Sequence, residues 1–97
     1  MKPKLRLAEL DPTFFVYRLD PEDDATYLTP VNAIADAVGV QFDCPCGDGH
    51  RLLIPFKGRM PDGKGWAVTG TNFDNLTLQP SVDAKCWHGW VRNGEIT

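Results

Sequence analysis

Long apolar runs are missing from this 97-residue chain, so no segment of it is suited to cross a bilayer as a helix. The first ten residues carry Lys2, Lys4 and Arg6 with no hydrophobic stretch behind them. A secretory signal is therefore not expected, and the cytoplasm is the expected compartment. Repeats, low-complexity tracts and Ser- or Gly-rich linkers are absent too, which leaves one domain over 1–97. There is no basic excess: the net charge is −3, and the acidic surplus lies in 11–42. The electrostatic footprint of a nucleic-acid binder is thereby missing. The chain contains no G-x-S-x-G elbow, H-E-x-x-H pair, Walker loop or Rossmann glycine fingerprint. Ser81 is the only serine, and no evident base stands near it in sequence.

What is present is turn chemistry and strand pattern. Nine Gly and eight Pro in so short a chain leave little room for long helices. Thr13 to Leu19 is rich in aromatic and β-branched residues and is bounded by Asp-Pro on both sides, the signature of a strand. Val40, Phe42 and Cys44 alternate with polar residues, as in a half-buried strand that delivers a thiol inward. His50, Leu52, Ile54 and Phe56 share one face of the next segment, which Pro55 marks as an edge or bulged strand. Trp66 and Val68 alternate in a fourth strand, and Leu76, Leu78, Pro80 and Val82 form the inner face of a fifth. Residues 88–97 read as a hairpin turning at Asn93-Gly94, a pair that tolerates the positive φ angles of a type I′ turn. One helix is expected, capped by Thr29, with Pro30 at its first position and Gly39 as its stop. The expected fold is mostly β, a small α+β domain: antiparallel, compact, with one short helix in a variable part over 1–39 and a metal-binding core over 40–97.

The chemistry concentrates in Cys44-Pro45-Cys46-Gly47 and Cys86-Trp87-His88-Gly89. Tetrahedral zinc with thiolates at about 2.3 Å needs donors roughly 3.7 Å apart, which residues i and i+2 reach where the backbone bends. Pro45, Gly47 and Gly89 supply such bends, making each cluster a two-ligand zinc knuckle. Cys44, Cys46, Cys86 and His88 are the expected ligands of a structural zinc, three thiolates and an imidazole suiting zinc better than calcium or magnesium. Iron is the alternative metal, and buried structural thiols with a core histidine are the alternative without one. Asp48 and His50 stand just beyond the first knuckle, as alternative ligands, as hydrogen-bond partners of a ligand, or as proton-transfer groups beside an open metal. Trp66, Trp87 and Trp90 serve either as packing around the metal or as stacking platforms for a single strand of nucleic acid. Arg51, Lys57, Arg59 and Lys64 surround a Gly/Pro-rich loop and form the expected surface for an anionic partner. The acidic run Asp20 to Asp24 reads as a solvated loop, with cation binding as the sharper reading.

Three segments, Phe42-Asp43-Cys44-Pro45-Cys46-Gly47, 76–82 and 86–95, resemble in order and spacing a family of small phage and prophage proteins catalogued only as a domain of unknown function. The resemblance covers about residues 40–97. Members often read C-P-C-G-C-G at the first knuckle; here Asp48 replaces the third cysteine, so Cys44, Cys46, Cys86 and His88 are the set carried over. Some relatives are labelled ammonia monooxygenase, a membrane-bound copper chemistry that a thiolate-rich site and the lack of a spanning segment oppose. The resemblance implies phage origin, with the host cytoplasm as compartment. The expected function is thus a non-enzymatic, zinc-stabilised accessory protein that binds a host or viral protein, inhibiting a host defence system by analogy. A zinc hydrolase or deconjugating enzyme with Asp48 or His50 as base is the first alternative. A single-stranded nucleic-acid module is the second.

Overall fold

The computed structural model describes residues 5–84 and 86–97; Lys2 and Lys4 lie outside them. The chain opens with β1 (Leu5–Arg6), followed by a four-residue 3-10 turn at Leu7–Leu10 that buries Leu7. A four-stranded antiparallel sheet follows, built from β2 (Thr13–Asp20), β3 (Ala25–Val31), β4 (Gly39–Asp43) and β5 (Arg51–Pro55) in the order β3-β2-β4-β5. Phe14, Val40, Phe42 and Ile54 pack from it into the core with Phe56 and Leu7. Pro55 ends an outer strand, where its missing N–H leaves no ladder bond unmade.

Four smaller strands carry the site. β6 (Ala67–Thr69) pairs with β7 (Thr77–Gln79), and β8 (Val82–Asp83) pairs with β9 (His88–Gly89). Leu76, Leu78 and Val82 are buried as expected of an inner face, whereas Pro80, expected with them, is exposed. The expected fifth strand is nevertheless two strands, interrupted at Pro80, which offers no donor to a ladder. β10 (Val91–Arg92) and β11 (Glu95–Ile96) form the hairpin at Asn93-Gly94, both in positive φ at 50° and 76°, and β11 pairs on its other side with β1. The domain is mostly β and antiparallel, as the sequence pattern requires, and no helix among the described residues is long and apolar enough to cross a membrane.

The expected helix from Thr29 to Gly39 does not form. Thr29, Pro30 and Val31 lie in β3, opposite Val16, Phe15 and Phe14, and only Ile34–Asp36 makes one 3-10 turn. Thr29 and Val31 are β-branched, and β3 is an edge strand on which Pro30 is tolerated, so cross-strand packing on Phe14 and Phe15 prevails over a short helical pattern. The β2–β3 hairpin runs past the sheet, since β4 covers only Thr13 to Phe15 of β2. Its acidic residues build the turn: Asp20 Oδ1 accepts the Glu22 N–H at 2.9 Å, and Asp23 Oδ1 accepts the Ala25 N–H at 3.1 Å. Asp23 Oδ2 accepts the Tyr27 hydroxyl at 2.5 Å, and that carboxylate raises the Tyr27 pKa above its ordinary value.

Gly39 is the tightest point of the sheet. A Cβ there would stand 2.6 Å from both the Ile54 carbonyl oxygen and the Phe15 ring. Gly39→Ala is expected to destabilise the fold by about 1–3 kcal/mol, as overpacking does, read as a lower urea midpoint with an unchanged slope.

Candidate functional site

The first bend follows β4. Gly47 N–H donates to the Cys44 carbonyl at 3.1 Å and Cys44 N–H donates to the His50 carbonyl at 2.9 Å, closing a turn with Pro45 at its second position. Gly47 and Gly49 both take positive φ, at 79° and 92°, conformations that L side chains rarely adopt. This geometry turns Cys44, Cys46 and His50 toward one point. The second bend is the connection between β8 and β9, where Ala84 N–H donates to the Trp87 carbonyl at 2.7 Å and Cys86 sits at the tip.

The two bends meet. The donor atoms of Cys44, Cys46, His50 and Cys86 all lie within 4.8 Å of one another. Cys44 Sγ is 3.3 Å from Cys86 Sγ, and His50 Nε2 is 3.6 Å from it. Cys46 and Cys86, 40 residues apart in sequence, stand at disulfide distance, leaving Cys44 as a buried thiol. The outer ring nitrogen of His50, Nδ1, contacts the Asp48 carboxylate. A carboxylate on the outer nitrogen aims the inner one, the usual support for a metal-bound imidazole.

The donor group differs from the expected one at its fourth position, where His50 stands instead of His88. The sequence left His50 open as an alternative. The physical reason is register: a side chain in β9 points onto the face of the β8–β9 ladder, whereas the knuckle lies at its end. With the Cys46–Cys86 pair reduced, three thiols and one imidazole make a four-donor set of the kind that closed structural metal sites use. Asp48 is engaged with His50, so neither residue is placed as a base beside an open metal.

His88 instead meets the serine. Ser81 Oγ and His88 Nε2 are 3.0 Å apart, the reach a nucleophile and its base require. Ser81 is half-buried and His88 exposed; the Ser81 carbonyl accepts the Trp66 indole N–H at 3.2 Å, and Val82 beside it is fully in the core. Asp83 stands opposite His88. Because the adjoining Ala84–Trp87 pair carries the ladder hydrogen bond, Asp83–His88 is a non-hydrogen-bonded pair, whose Cα atoms approach to about 4.5 Å with side chains on one face. Gly89 lets β9 lie close: a Cβ there would stand 2.7 Å from the Trp87 ring and 2.9 Å from the Thr97 carbonyl. Sequence reasoning missed this pair by looking for a base within a few positions of Ser81. The usable signal was a strand, a short turn and a strand between Ser81 and His88, which brings residues seven apart into contact.

The remaining candidates are engaged elsewhere. Arg51 donates to Asp43 at 2.8 Å and to the Asp11 carbonyl at 2.9 Å. Arg59 donates to the Ile34 and Ala37 carbonyls at 2.5 and 2.8 Å and lies over the Phe56 ring. Lys57 and Lys64 lie exposed on the loop after β5. Trp87 and Trp66 pack against the core, and Arg92 covers the Trp90 ring at 4.0 Å.

Comparison with known proteins gives one result. The family described as bacterial ubiquitination-like system serine protease (BubE) matches residues 16–97. This corrects the resemblance to a phage family of unknown function: the match spans both knuckles, the serine and most of the β2–β3 hairpin, and its family is a protease family of a bacterial ubiquitination-like system. No curated protein matches the chain, and no solved structure matches it.

Proposed function

We propose that this chain, which belongs to the BubE family of bacterial ubiquitination-like system serine proteases, is a hydrolase whose nucleophile is Ser81 and whose general base is His88. One observation carries the reading. The only serine of a serine-protease family member lies 3.0 Å from an imidazole nitrogen. The expectation of a non-enzymatic binding protein is replaced on that ground. The substrate class that accords with the family is a peptide or isopeptide bond at the end of a ubiquitin-like modifier, so the partner is a protein and the binding is that of enzyme and substrate.

The chemistry follows the general serine route. Ser81 Oγ attacks the scissile carbonyl carbon as His88 Nε2 takes its proton; the tetrahedral adduct collapses, and His88 returns that proton to the departing amine. Water then adds to the Ser81 ester with His88 again as base, releasing the carboxylate product and restoring the serine hydroxyl. Asp83, opposite His88 across the ladder, is the carboxylate placed to orient the imidazole when substrate is bound.

The same reading includes zinc on Cys44, Cys46, His50 and Cys86. The softness of the donors, their closure around one point and the Asp48 contact support it. When bound, the ion crosslinks two distant bends and supplies no reacting group. Its contribution, on the order of 10 kcal/mol in small zinc domains, matches the entire net stability of an ordinary domain. Reduced thiols are required for it, which accords with the cytoplasm.

Ser81→Ala and His88→Gln are each expected to lower cleavage of a modifier fusion by about 10⁴-fold or more, and Asp83→Asn by about 10- to 100-fold, all with unchanged circular dichroism. Mass spectrometry after incubation with a fluorophosphonate should place the adduct on Ser81; wild-type activity in Ser81→Ala would refute the assignment. Protein purified under reductant is expected to hold one equivalent of zinc, to lose it in Cys44→Ser, and to unfold with strong chelator.

A further inference from the structure

We infer that the metal knuckle is a positioning device for the reaction, with Cys86 setting His88 against Ser81, so that metal occupancy and metal identity govern the competence of the nucleophile. The inference rests on the reading of Ser81 and His88 as nucleophile and base. Its argument starts from how little else holds their ladder. β8 and β9 are two residues each, paired only as Val82 with Gly89 and Asp83 with His88. A two-stranded ribbon of that size is not stable alone in water.

The two sides of this ribbon are anchored differently. On the serine side, Val82 is in the core and the Trp66 indole holds the Ser81 carbonyl at 3.2 Å. On the histidine side, His88 itself is exposed, and the strand enters from Cys86, only two residues earlier and about 6–7 Å along an extended chain. Cys86 in turn meets Cys44 at 3.3 Å and His50 at 3.6 Å, groups carried by the β4–β5 end of the large sheet. Trp87, between Cys86 and His88, packs against the core, so the nucleophile is fixed by apolar packing and the base by the knuckle together with that indole. A contact of 3.0 Å between them requires both anchors. Displacements well under an ångström already slow a serine–base pair, since a 1 Å error costs on the order of 100-fold.

The inference separates from mere folding because it concerns loaded protein. Zinc and cadmium take the same soft donors but differ in radius, so both should give folded protein with differently placed Cys86. Reduced wild-type protein is loaded with each ion in turn, stoichiometry is checked by metal analysis, and fold by near-ultraviolet circular dichroism. The rate of fluorophosphonate labelling at Ser81 is then measured, together with the ¹⁵N shifts of the His88 ring. The expected result is severalfold slower labelling in the cadmium form, with a displaced His88 ring signal and the same circular dichroism. Cys86→His, which keeps four donors but lengthens the arm next to the base, is expected to label at least 10-fold more slowly when zinc-loaded. Equal labelling rates and equal His88 shifts in the two loaded forms overturn the inference, as does full labelling of folded, metal-free protein. A His88 ring that follows the metal while Ser81 remains unlabelled in the zinc form overturns instead the assignment of Ser81 as nucleophile.

Discussion

Everything near the Ser81–His88 contact depends on the convergence of two bends, one after β4 and one between β8 and β9, on a single point. Neither bend has much of its own to hold it. The first is a Pro/Gly turn with exposed Cys46, Gly47 and Asp48, and the second caps a ladder of two residue pairs. What brings them together is the chemistry of three sulfurs and one imidazole nitrogen within 4.8 Å. In a domain of this size the apolar core is small, and donors gathered this closely are where a crosslink would add most to it.

The division of labour between the two histidines follows from their positions in the strands. His50 sits at the end of a turn, where its ring reaches the knuckle with one nitrogen and Asp48 with the other. His88 sits inside a ladder, where its ring is confined to a face that Ser81 and Asp83 share. The chain has only two histidines, and the fold sends them to different neighbours. His50 is paired with the Asp48 carboxylate, whereas His88 meets the Ser81 hydroxyl.

Much of the fold is legible in the residues and part of the site is not. Alternation in 13–19, 40–44 and 76–82 marks strands because one face of each is buried on the core, and Asn93-Gly94 marks a hairpin because both residues take positive φ. The convergence of Cys44, Cys46 and Cys86 is legible because closely spaced cysteines beside turn residues mark bends that can share one point. β3 is not, since Thr29, Pro30 and Val31 carry an ambiguous pattern that only the partner strand β2 resolves. The choice between His50 and His88 is illegible for the same reason: it is decided by the register of β8 on β9, a relation between segments. Ser81 looks isolated in the chain because the imidazole it meets lies across the β8–β9 turn.

The overhanging β2–β3 hairpin has a cost in colloidal behaviour that its tip offsets. It extends a molecule 53 Å long and presents Tyr17, Leu19 and Tyr27 at 42, 63 and 50% exposure beside an outer strand with open ladder positions. Such a ribbon invites edge-to-edge growth into fibrils. Asp20, Glu22, Asp23 and Asp24 put like charge at its end, and Pro30 removes one donor from its rim, so two copies that approach along this strand repel before they can zip.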